Sequence, residues 1–447
     1  SFPTRRSSDL SVITVENAYG QLLAEGYIYS IPKSGYYVSD LSGIPVHQTE
    51  YTSETYEAEE QGTDSRTAKA GDKVLLTGGE NAFIADFTSN QTEHAAFPFS
   101  IWNKTMRAVM NDYQEEMMIN PPCGGVMELR KSISSYLKEF CAMYVRPEQI
   151  IIGAGTEYLY SILIQLLGRN VCYGVENPGY PKIAKIYRSM GVKYEYIDLD
   201  EEGTSAKKLE EKKVDIMHIS PSHHFPTGMV MPISKRYELL GWVTREKERY
   251  IIEDDYDSEL RLAGKPIPSL QSIDVSGKVI YINTFAKTLC STVRISYMVL
   301  PEALAEKYYR ELSFYSCTVS NFEQYTLAAF MNAGAFEKHI NRLRNYYQHK
   351  RDLILSTFLR EPLGKYITIS EEDSGVHFLM HVNTSMSEQE FLLKTRAKGI
   401  RLATLSSFYN AEQKDSRYEN TYVMNYSFVD CDRLEYVAQT LYKIIHP

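Results

Sequence analysis

From about residue 81 onward, short apolar segments alternate with segments of helical period. Alternating strands and helices build a mostly parallel sheet that is covered by helices on both faces, so the chain is predicted to be an α/β protein. Helices predominate after residue 302, and a smaller alternating region runs from Ile367 to His446. The predicted strands are Gln149–Ile152, Asn170–Gly174, Tyr194–Ile197, Asp215–Ser220, Tyr250–Glu253, Val279–Asn283 and Arg294–Val299. The predicted helices include Glu157–Leu167, Pro181–Met190, Ser234–Lys247, Asn321–Arg342 and Tyr346–Phe358.

Length and composition narrow the class of protein. A chain of 447 residues accommodates two or three domains, and a net charge of -9 does not indicate a nucleic-acid or membrane surface overall. The six cysteines form no C-x-x-C pair, no apolar run reaches about 18 residues, and no secretory signal is visible. We therefore expect a cytoplasmic protein. Residues 41–80 hold eight acids against three Lys or Arg, a net of -5, and are predicted to be a flexible acidic linker.

One lysine stands where a predicted strand ends. Lys287 follows the strand Val279–Asn283, with Thr284 three residues before it and Arg294 seven residues after it. An unprotonated lysine amine condenses with aldehydes, whereas hydroxyl and guanidinium groups suit a phosphate. Few aldehydes carry a phosphate, and pyridoxal 5'-phosphate (PLP) is the foremost candidate. The alternative for this segment by itself is a surface lysine that follows a strand.

An acidic segment follows another predicted strand, Tyr250–Glu253. Asp254 comes next, and Tyr256 is two residues further on. Runs of acids usually form a solvated surface, but this run ends an apolar strand, at the edge of the sheet where open α/β folds bind ligands. A carboxylate beside a pyridine nitrogen keeps that nitrogen protonated, which makes the ring an electron sink. Tyr256 could hydrogen-bond the phenolic oxygen of the same ring.

Two glycine-containing turns follow two other strands. Gly153-Ala-Gly155-Thr156 opens a helix, and the free N–H groups of a helix start suit an anion. A tight turn alone would explain this motif equally well. In Asn177-Pro-Gly-Tyr180, the Tyr180 ring could lie flat on an aromatic cofactor, or the segment could be an ordinary Pro-Gly turn.

The segment 219–228 is a rigid turn after a further strand, with two prolines, His223, His224 and a terminal glycine. No metal is expected there, because adjacent side chains rarely converge and no carboxylate or cysteine lies close in sequence. Five strand ends therefore carry the parts of one site. They are a glycine turn suited to an anion, a tyrosine ring that could stack on a cofactor, a rigid polar turn, an acid with a tyrosine, and a lysine with Thr and Arg. Jointly these residues match the needs of PLP.

These motifs resemble those of fold-type I aminotransferases. More narrowly they resemble the MocR branch of GntR-type bacterial regulators, in which a winged helix-turn-helix precedes an aminotransferase-like domain. The resemblance covers nearly the whole chain and rests on Ser-His-His-Phe-Pro-Thr-Gly at 222–228, Glu-Asp-Asp-Tyr-Asp-Ser-Glu-Leu-Arg at 253–261, and Thr-Phe-Ala-Lys-Thr-Leu at 284–289. It implies a fold-type I, mostly parallel seven-stranded sheet with helices on both faces plus a small α/β domain. The aminotransferase-like domain would span 81–447, with a large domain at about 120–320 and a small domain at about 81–119 plus 321–447.

The resemblance also implies roles for single residues. Lys287 would hold PLP covalently as an internal aldimine, Asp254 would pair with the pyridine nitrogen, and Tyr256 would bond the ring hydroxyl, so these three residues would be the catalytic set. The other implied cofactor contacts are Tyr180, His223, Gly155, Thr156, Thr284 and Arg294.

Residues 1–40 resemble a partial GntR winged helix, or a small helix–hairpin cap without a DNA role. Thr14 would begin the recognition helix and Lys33 and Ser34 would lie in the wing, so these three residues are the predicted DNA contacts. Only Ser1–Leu10 precede this helix, and we expect residues 1–10 to be an artefact and the domain to be truncated. Three Lys or Arg against four acids give residues 1–40 a net charge of -1, so this fragment should bind a double-stranded DNA operator weakly compared with the intact protein.

Two positions depart from the aminotransferase pattern. Asn120 stands where relatives often have a tyrosine that reaches the neighbouring subunit, and Val423 stands near the place of an arginine that holds the substrate carboxylate. Arg401 and Arg417 are candidate substitutes for that arginine. The first hypothesis is a homodimeric transcriptional regulator that senses PLP or its aldimine with an amine or amino acid. The alternatives are an active aminotransferase, which moves an amino group between an amino acid and a 2-oxo acid, and a cofactor-free relative.

Overall fold

A computed structural model describes residues 15, 18–19, 22–23, 28–31, 34–38, 83–89, 91–262, 267–373, 375–410 and 418–446. The chain divides into two compact units, Ser1–Gly78 and Gly79–Pro447. Some of the sequence predictions concern positions outside the described residues, namely 1–10, Thr14, Lys33, the linker 41–80 and Arg417.

The described part of the first unit contains a helix followed by a hairpin. Its residues before position 24 are helical, and β1 (Ile28–Ile31) then pairs with β2 (Gly35–Val38) in antiparallel orientation. Gly35 has a φ of +117° directly after the turn, a conformation that residues with a Cβ rarely adopt. The rings of Tyr19 and Tyr36 lie 4.8 Å apart. The assignment of these residues to a recognition helix and a wing stays a prediction.

The main sheet of the second unit has seven strands. β3 (Ala85–Asp86) precedes this sheet in the chain and pairs elsewhere. The strand order is β4 (Ile150–Gly153), β10 (Ser296–Val299), β9 (Val279–Thr284), β8 (Tyr250–Asp254), β7 (Ile216–Ile219), β5 (Cys172–Asn177) and β6 (Lys193–Asp198). β10 is antiparallel to both of its neighbours, and the pairs from β9 to β6 are parallel. The seven predicted strands are confirmed. β4, β7 and β10 are buried at every residue, and β5, β8 and β9 at all residues but one, as their apolar sequences indicate.

Helices cover both faces of this sheet. Adjacent residues of a strand face opposite sides, so Ile152 packs in one core cluster with Leu129 while Ile151 packs in another with Leu159. The helices of this region are α1 (Phe99–Asp112), α2 (Gln114–Met117), α3 (Met127–Cys141), α4 (Thr156–Leu167), α5 (Pro181–Ser189), α6 (Ala206–Glu211), α7 (Ile233–Val243), α8 (Leu270–Ile273) and α9 (Glu302–Glu311).

The sequence prediction for the long helices is wrong in one respect. It ends the first helix at Arg342 and begins another at Tyr346, whereas the chain forms α10 (Asn321–Asn332) and α11 (Ala335–Phe358). The break lies at Gly334, which has a φ of +63° in the left-handed region. Glycine adopts this conformation without a steric penalty, so it ends α10 and allows α11 to start in a new direction.

A second, four-stranded sheet follows, in the order β11 (Ile367–Ser370), β12 (His377–Val382), β15 (Thr421–Asn425) and β14 (Ala403–Thr404). α12 (Glu388–Ala397), α13 (Leu434–Ile445) and the C-terminal half of α11 share its core cluster. β13 (Ile400–Arg401) pairs with β3 in parallel. β12 begins two residues after Gly375, which brings this sheet against the main one at the site described below. None of the helices in the described residues is long and apolar enough to cross a membrane.

Candidate functional site

A cavity of about 220 Å³ lies at the carboxyl ends of β5, β7, β8 and β9, which is the edge where open α/β sheets bind ligands. α4 begins beside it, and the second sheet closes it from the other side. The predicted site residues that line this cavity are Lys287, Asp254, Tyr256, Tyr180, Thr156 and Thr284. The residues contributed by the second sheet and its loops are Val376, His377, Ser407, Phe408, Tyr409, Asn410 and Asn425.

Lys287 lies three residues after the end of β9 and lines the cavity. Burial lowers the pKa of its amine, because the charged form loses its hydration, while the nearby Asp257 carboxylate acts in the opposite direction. A larger share of this lysine is therefore uncharged at neutral pH than of an exposed lysine. The uncharged amine is the form that attacks an aldehyde carbon.

Asp254 ends β8 and belongs to a buried hydrogen-bond network. The Tyr160 hydroxyl donates to Asp254 Oδ2, and His218 Nε2 lies 3.5 Å from the same oxygen. The Tyr187 hydroxyl lies 2.9 Å from His218 Nδ1. Burial, and then the Asp254 charge, raise the pKa of Tyr160 well above its usual range, so this hydroxyl keeps its proton. Asp254 Oδ1 is buried without a hydrogen-bond partner among the described residues, and a pyridinium N–H would satisfy it.

Sequence reasoning missed Tyr160, His218 and Tyr187. Tyr160 lies four residues after Thr156, so both side chains share one face of α4, and that spacing could have identified it. His218 is the polar residue of the buried strand β7, a second available signal. Nothing local in the sequence singles out Tyr187, because helix packing alone brings it to His218.

Tyr256 and His223 form a second buried group. His223 Nδ1 lies 2.8 Å from Asp257 Oδ2 and 3.3 Å from the Tyr256 hydroxyl, and its ring stacks on His377 with centroids 4.6 Å apart. A Cβ on Gly375 would lie 2.4 Å from His223 Cε1, so glycine permits this close approach of the second sheet. His223 does not line the 220 Å³ cavity; it lines a neighbouring cavity behind Asp257.

The predicted anion contacts Gly155 and Arg294 do not line the 220 Å³ cavity; they lie beside the start of α4, whose Thr156 does line it. Gly155 has a φ of +90°, and a Cβ at this position would lie 2.2 Å from Arg294 Nη2. Arg294 Nη2 donates to the Ala154 carbonyl at 3.3 Å and to Glu157 Oε2 at 2.5 Å. Burial by itself would raise the pKa of Glu157, but hydrogen bonds from Lys182 and Arg294 lower it. Two cations therefore surround one carboxylate, and the cluster retains positive charge beside the free N–H groups of the helix.

These residues fit PLP. The partnerless Asp254 oxygen suits the ring nitrogen, Lys287 suits the aldehyde, and the glycine turn with Arg294 suits the phosphate. Tyr180, which is 44 % exposed, borders the same cavity, and its ring meets Phe225 edge-on at 5.9 Å. No group of three or more His, Cys, Asp or Glu in the described part of the chain could hold a metal ion.

Arg401 does not approach this cavity. Its Nη1 lies 3.4 Å from Asp86 Oδ2, and its guanidinium lies over the Phe83 ring at 5.5 Å. The prediction that Arg401 could substitute for a carboxylate-binding arginine is therefore wrong, because pairing with β3 holds it elsewhere. Val423 is buried in an apolar cluster with Leu379.

Comparisons with known proteins agree with this geometry. The family model described as aminotransferase class I and II matches residues 84–417, so the chain belongs to the aminotransferase class I and II family. A crystal structure of kynurenine aminotransferase from Pyrococcus horikoshii has the same fold, with a TM-score of 0.69, 22 % identity, and coverage of 82 % of this chain and 91 % of that one. The predicted fold and the predicted cofactor, PLP, are confirmed at the level of this family.

Proteins of similar sequence narrow the class of protein further. The chain is 37 % identical to the uncharacterized HTH-type transcriptional regulator YdeL of Bacillus subtilis, over 90 % of this chain and 82 % of that one. It is 29 % identical to the probable rhizopine catabolism regulatory protein MocR of Rhizobium meliloti (90 % and 81 %) and 27 % identical to the pyridoxine biosynthesis regulator PdxR of Corynebacterium glutamicum (95 % and 85 %). Within the family, the chain therefore belongs to the MocR-type transcriptional regulators.

Proposed function

We propose that this protein is a PLP-dependent, DNA-binding transcriptional regulator whose aminotransferase-like domain senses PLP or the amines that react with it. The observation that carries the proposal is that Lys287, Asp254 and Tyr256 line one cavity, in a chain whose curated relatives are regulators. A ligand shifts a regulator between states only if it binds those states with different affinity. The cavity lies between the two sheets, so a ligand there contacts elements of both.

The side chains have separate tasks in this proposal. Lys287 binds the cofactor covalently through its uncharged amine. Asp254, held by Tyr160, keeps the pyridine nitrogen protonated. When bound, PLP supplies an electron sink for chemistry at the carbon atoms of an amine. Arg294 and the N–H group of Thr156 hold the phosphate, and Gly155 leaves room for it because it has no Cβ. Thr284 adds a hydroxyl and Tyr180 stacks on the ring, while the Tyr256 hydroxyl bonds the ring oxygen and His223 orients Tyr256.

The cofactor assignment is tested by titrating the protein with PLP and following absorbance. Borohydride reduction followed by peptide mass spectrometry should find the cofactor on Lys287. The variant Lys287→Ala should lose the covalent product, whereas Lys278→Ala, at a half-buried lysine over the Tyr250 ring, should keep it. A Lys287→Ala protein that is labelled as fully as the wild type would overturn the assignment.

An active aminotransferase is the alternative, and the complete set of Lys287, Asp254 and Tyr256 favours it. Incubation of the PLP-loaded protein with amino acids and a 2-oxo acid separates the two functions. The regulator hypothesis expects a spectral change without sustained formation of a new amino acid. Continuous turnover would establish the enzyme instead.

DNA contact, a homodimer and a cytoplasmic location complete the proposal. Exposed Ser34 beside the hairpin turn, together with Thr14 and Lys33, would contact an operator. Gel-shift experiments with DNA upstream of the protein's own gene, with and without PLP, test the contact, and Ser34→Glu should weaken it by placing a negative charge against phosphate. Analytical ultracentrifugation tests the dimer. A monomer whose affinity for DNA does not respond to PLP would contradict this part of the proposal.

A further inference from the structure

The side of the cavity that the second sheet and its loops form carries several polar side chains. Those that the structure describes are His377, Ser407, Tyr409, Asn410 and Asn425. His377 is the first residue of β12 and is 2 % exposed. Its register partner on β15 is Asn425, which is also buried. Buried polar atoms are nearly always hydrogen-bonded in native proteins, so an unpaired atom at this place calls for an explanation.

Neighbouring groups hold the His377 ring in one orientation. The ring stacks on the His223 ring with centroids 4.6 Å apart and meets the Phe225 ring edge-on at 5.3 Å. It also forms a hydrogen bond with the Pro226 backbone, where the carbonyl must be the partner because proline has no N–H. All three contacts come from the rigid turn at 222–228, and together they fix the directions of both ring nitrogens.

His377 Nε2 is a hydrogen-bond acceptor without a donor. This nitrogen is buried and has no hydrogen-bond partner among the described residues. The bond with the Pro226 carbonyl therefore belongs to Nδ1, which must carry a proton because a carbonyl only accepts. Burial lowers the pKa of His377 well below its usual range, as do His223 and Lys287, so the ring is uncharged and has that one proton only. The lone pair of Nε2 is left unused.

Two other buried histidines differ from His377 in this respect. His218 and His224 also have an Nε2 without a hydrogen bond. Each of these nitrogens lies 3.5 Å from a carboxylate oxygen, which belongs to Asp254 and Glu176 respectively. No carboxylate of the described residues comes as close to a ring nitrogen of His377. An acceptor that is buried and unpaired destabilises the protein, and a donor on a bound ligand removes that penalty.

We propose that His377 is a specificity-determining residue whose Nε2 accepts a hydrogen bond from the amine that this site senses. The effector is then an amine that carries a hydroxyl, or another O–H or N–H donor, in addition to its reacting nitrogen. Lys287 and His377 line one cavity from the main sheet and from the second sheet, so an amine that reacts with the cofactor can reach both. The inference rests on the proposed function, because it names the class of amine that the PLP-loaded protein senses.

Two amines of matched shape test the proposal. PLP-loaded protein is titrated with 2-amino-1-propanol and with 2-aminobutane, in which a methyl group replaces the hydroxyl, by cofactor absorbance and by calorimetry. The ratio of the two affinities is divided by the ratio measured with free PLP, which removes the intrinsic difference between the amines. We expect the corrected ratio to favour the hydroxyl by about threefold to tenfold, the effect of one hydrogen bond. Equal affinities after this correction, or a preference for 2-aminobutane, overturn the proposal.

Two substitutions of His377 separate ligand recognition from a structural role. An asparagine amide can replace Nδ1 at the Pro226 carbonyl but leaves nothing at the place of Nε2, whereas the longer glutamine brings its side-chain oxygen towards that place. His377→Asn should therefore lose the preference for the hydroxyl, and His377→Gln should keep part of it. Either an asparagine protein with the full preference or a glutamine protein with none overturns the proposal.

His381→Gln is the matched control. His381 is exposed near the other end of β12 and does not line the cavity, so this variant should keep the full preference. Alanine tests the direction of the hydrogen bond, because its carboxylate has no proton to give to Nε2. A preference for alanine over 2-aminobutane that disappears in His377→Asn would overturn the assignment of Nε2 as an acceptor. Failure of PLP to label Lys287 would defeat the proposed function itself, and it is seen before any amine is added.

Discussion

The two ends of the cofactor cavity are built differently. At the Asp254 end, the groups nearest the carboxylate are buried: the Tyr160 hydroxyl donates to it, and His218, 3.5 Å away, is hydrogen-bonded to Tyr187. At the Arg294 end, the guanidinium is 52 % exposed and already bridges Glu157. Buried groups act in a low dielectric and change the chemistry of whatever they touch, whereas exposed ion pairs are screened by solvent. The Asp254 end should therefore govern the reactivity of bound PLP, and the Arg294 end should govern the affinity for PLP.

The substitution Asp254→Asn should have the largest effect. It keeps the shape of the side chain but removes the charge that holds a proton on the ring nitrogen, so the rate at which bound PLP exchanges Lys287 for an added amine should fall by about 100-fold or more. Stopped-flow absorbance measures that rate. Asp255→Asn is the control, because Asp255 is equally buried but accepts from Tyr281 and Ser258 instead. A variant that exchanges amines at the wild-type rate would contradict the assignment.

Gly155→Ala tests the anion end. Alanine at this position would have to adopt a φ near +90°, and its Cβ would overlap Arg294 Nη2. PLP affinity should therefore fall by about tenfold to a hundredfold. Gly168→Ala separates strain from contact, because Gly168 has a φ of +108° with nothing near its Cβ position. Fluorescence titration measures both affinities. A loss of similar size in both variants would point to general strain and not to the phosphate site.

Glu157→Gln should strengthen PLP binding. Glu157 bridges Arg294 and Lys182, and its removal leaves both cations for the phosphate. The gain should be no more than about fivefold and should shrink in high salt, because exposed pairs contribute about 0.2–1 kcal/mol. Glu302→Gln, which breaks the exposed pair with Arg146 elsewhere, is the control. A weaker-binding Glu157→Gln protein would mean that Glu157 positions Arg294 and does not compete for it.

The difference between signals that are local in the sequence and contacts between distant residues explains what the sequence could predict. The seven strands and the lysine, acid and glycine motifs at their ends are local signals, because apolar runs and turn residues are contiguous in the chain. The network behind Asp254 is not contiguous: Tyr187 reaches His218 only because α5 packs on the sheet. Arg401 was misjudged for the same reason, since its pairing with Asp86 joins positions far apart in sequence. The break at Gly334 was available in the sequence, but helical periodicity on both sides of it concealed it.

At the buried end, the stability of the fold should depend on pH through Glu176. Burial raises the pKa of Glu176 from 4.5 to about 8, so between these pH values the folded state holds a proton that the unfolded state has released. The free energy of unfolding therefore falls as pH rises through that window. Glu176→Gln can still accept the Ser220 N–H, now at 3.0 Å from Oε2, but does not titrate, so its stability relative to wild type should rise with pH. Urea unfolding at several pH values measures this difference. A pH profile of Glu176→Gln that runs parallel to that of the wild type would mean that Glu176 is already ionised in the folded protein.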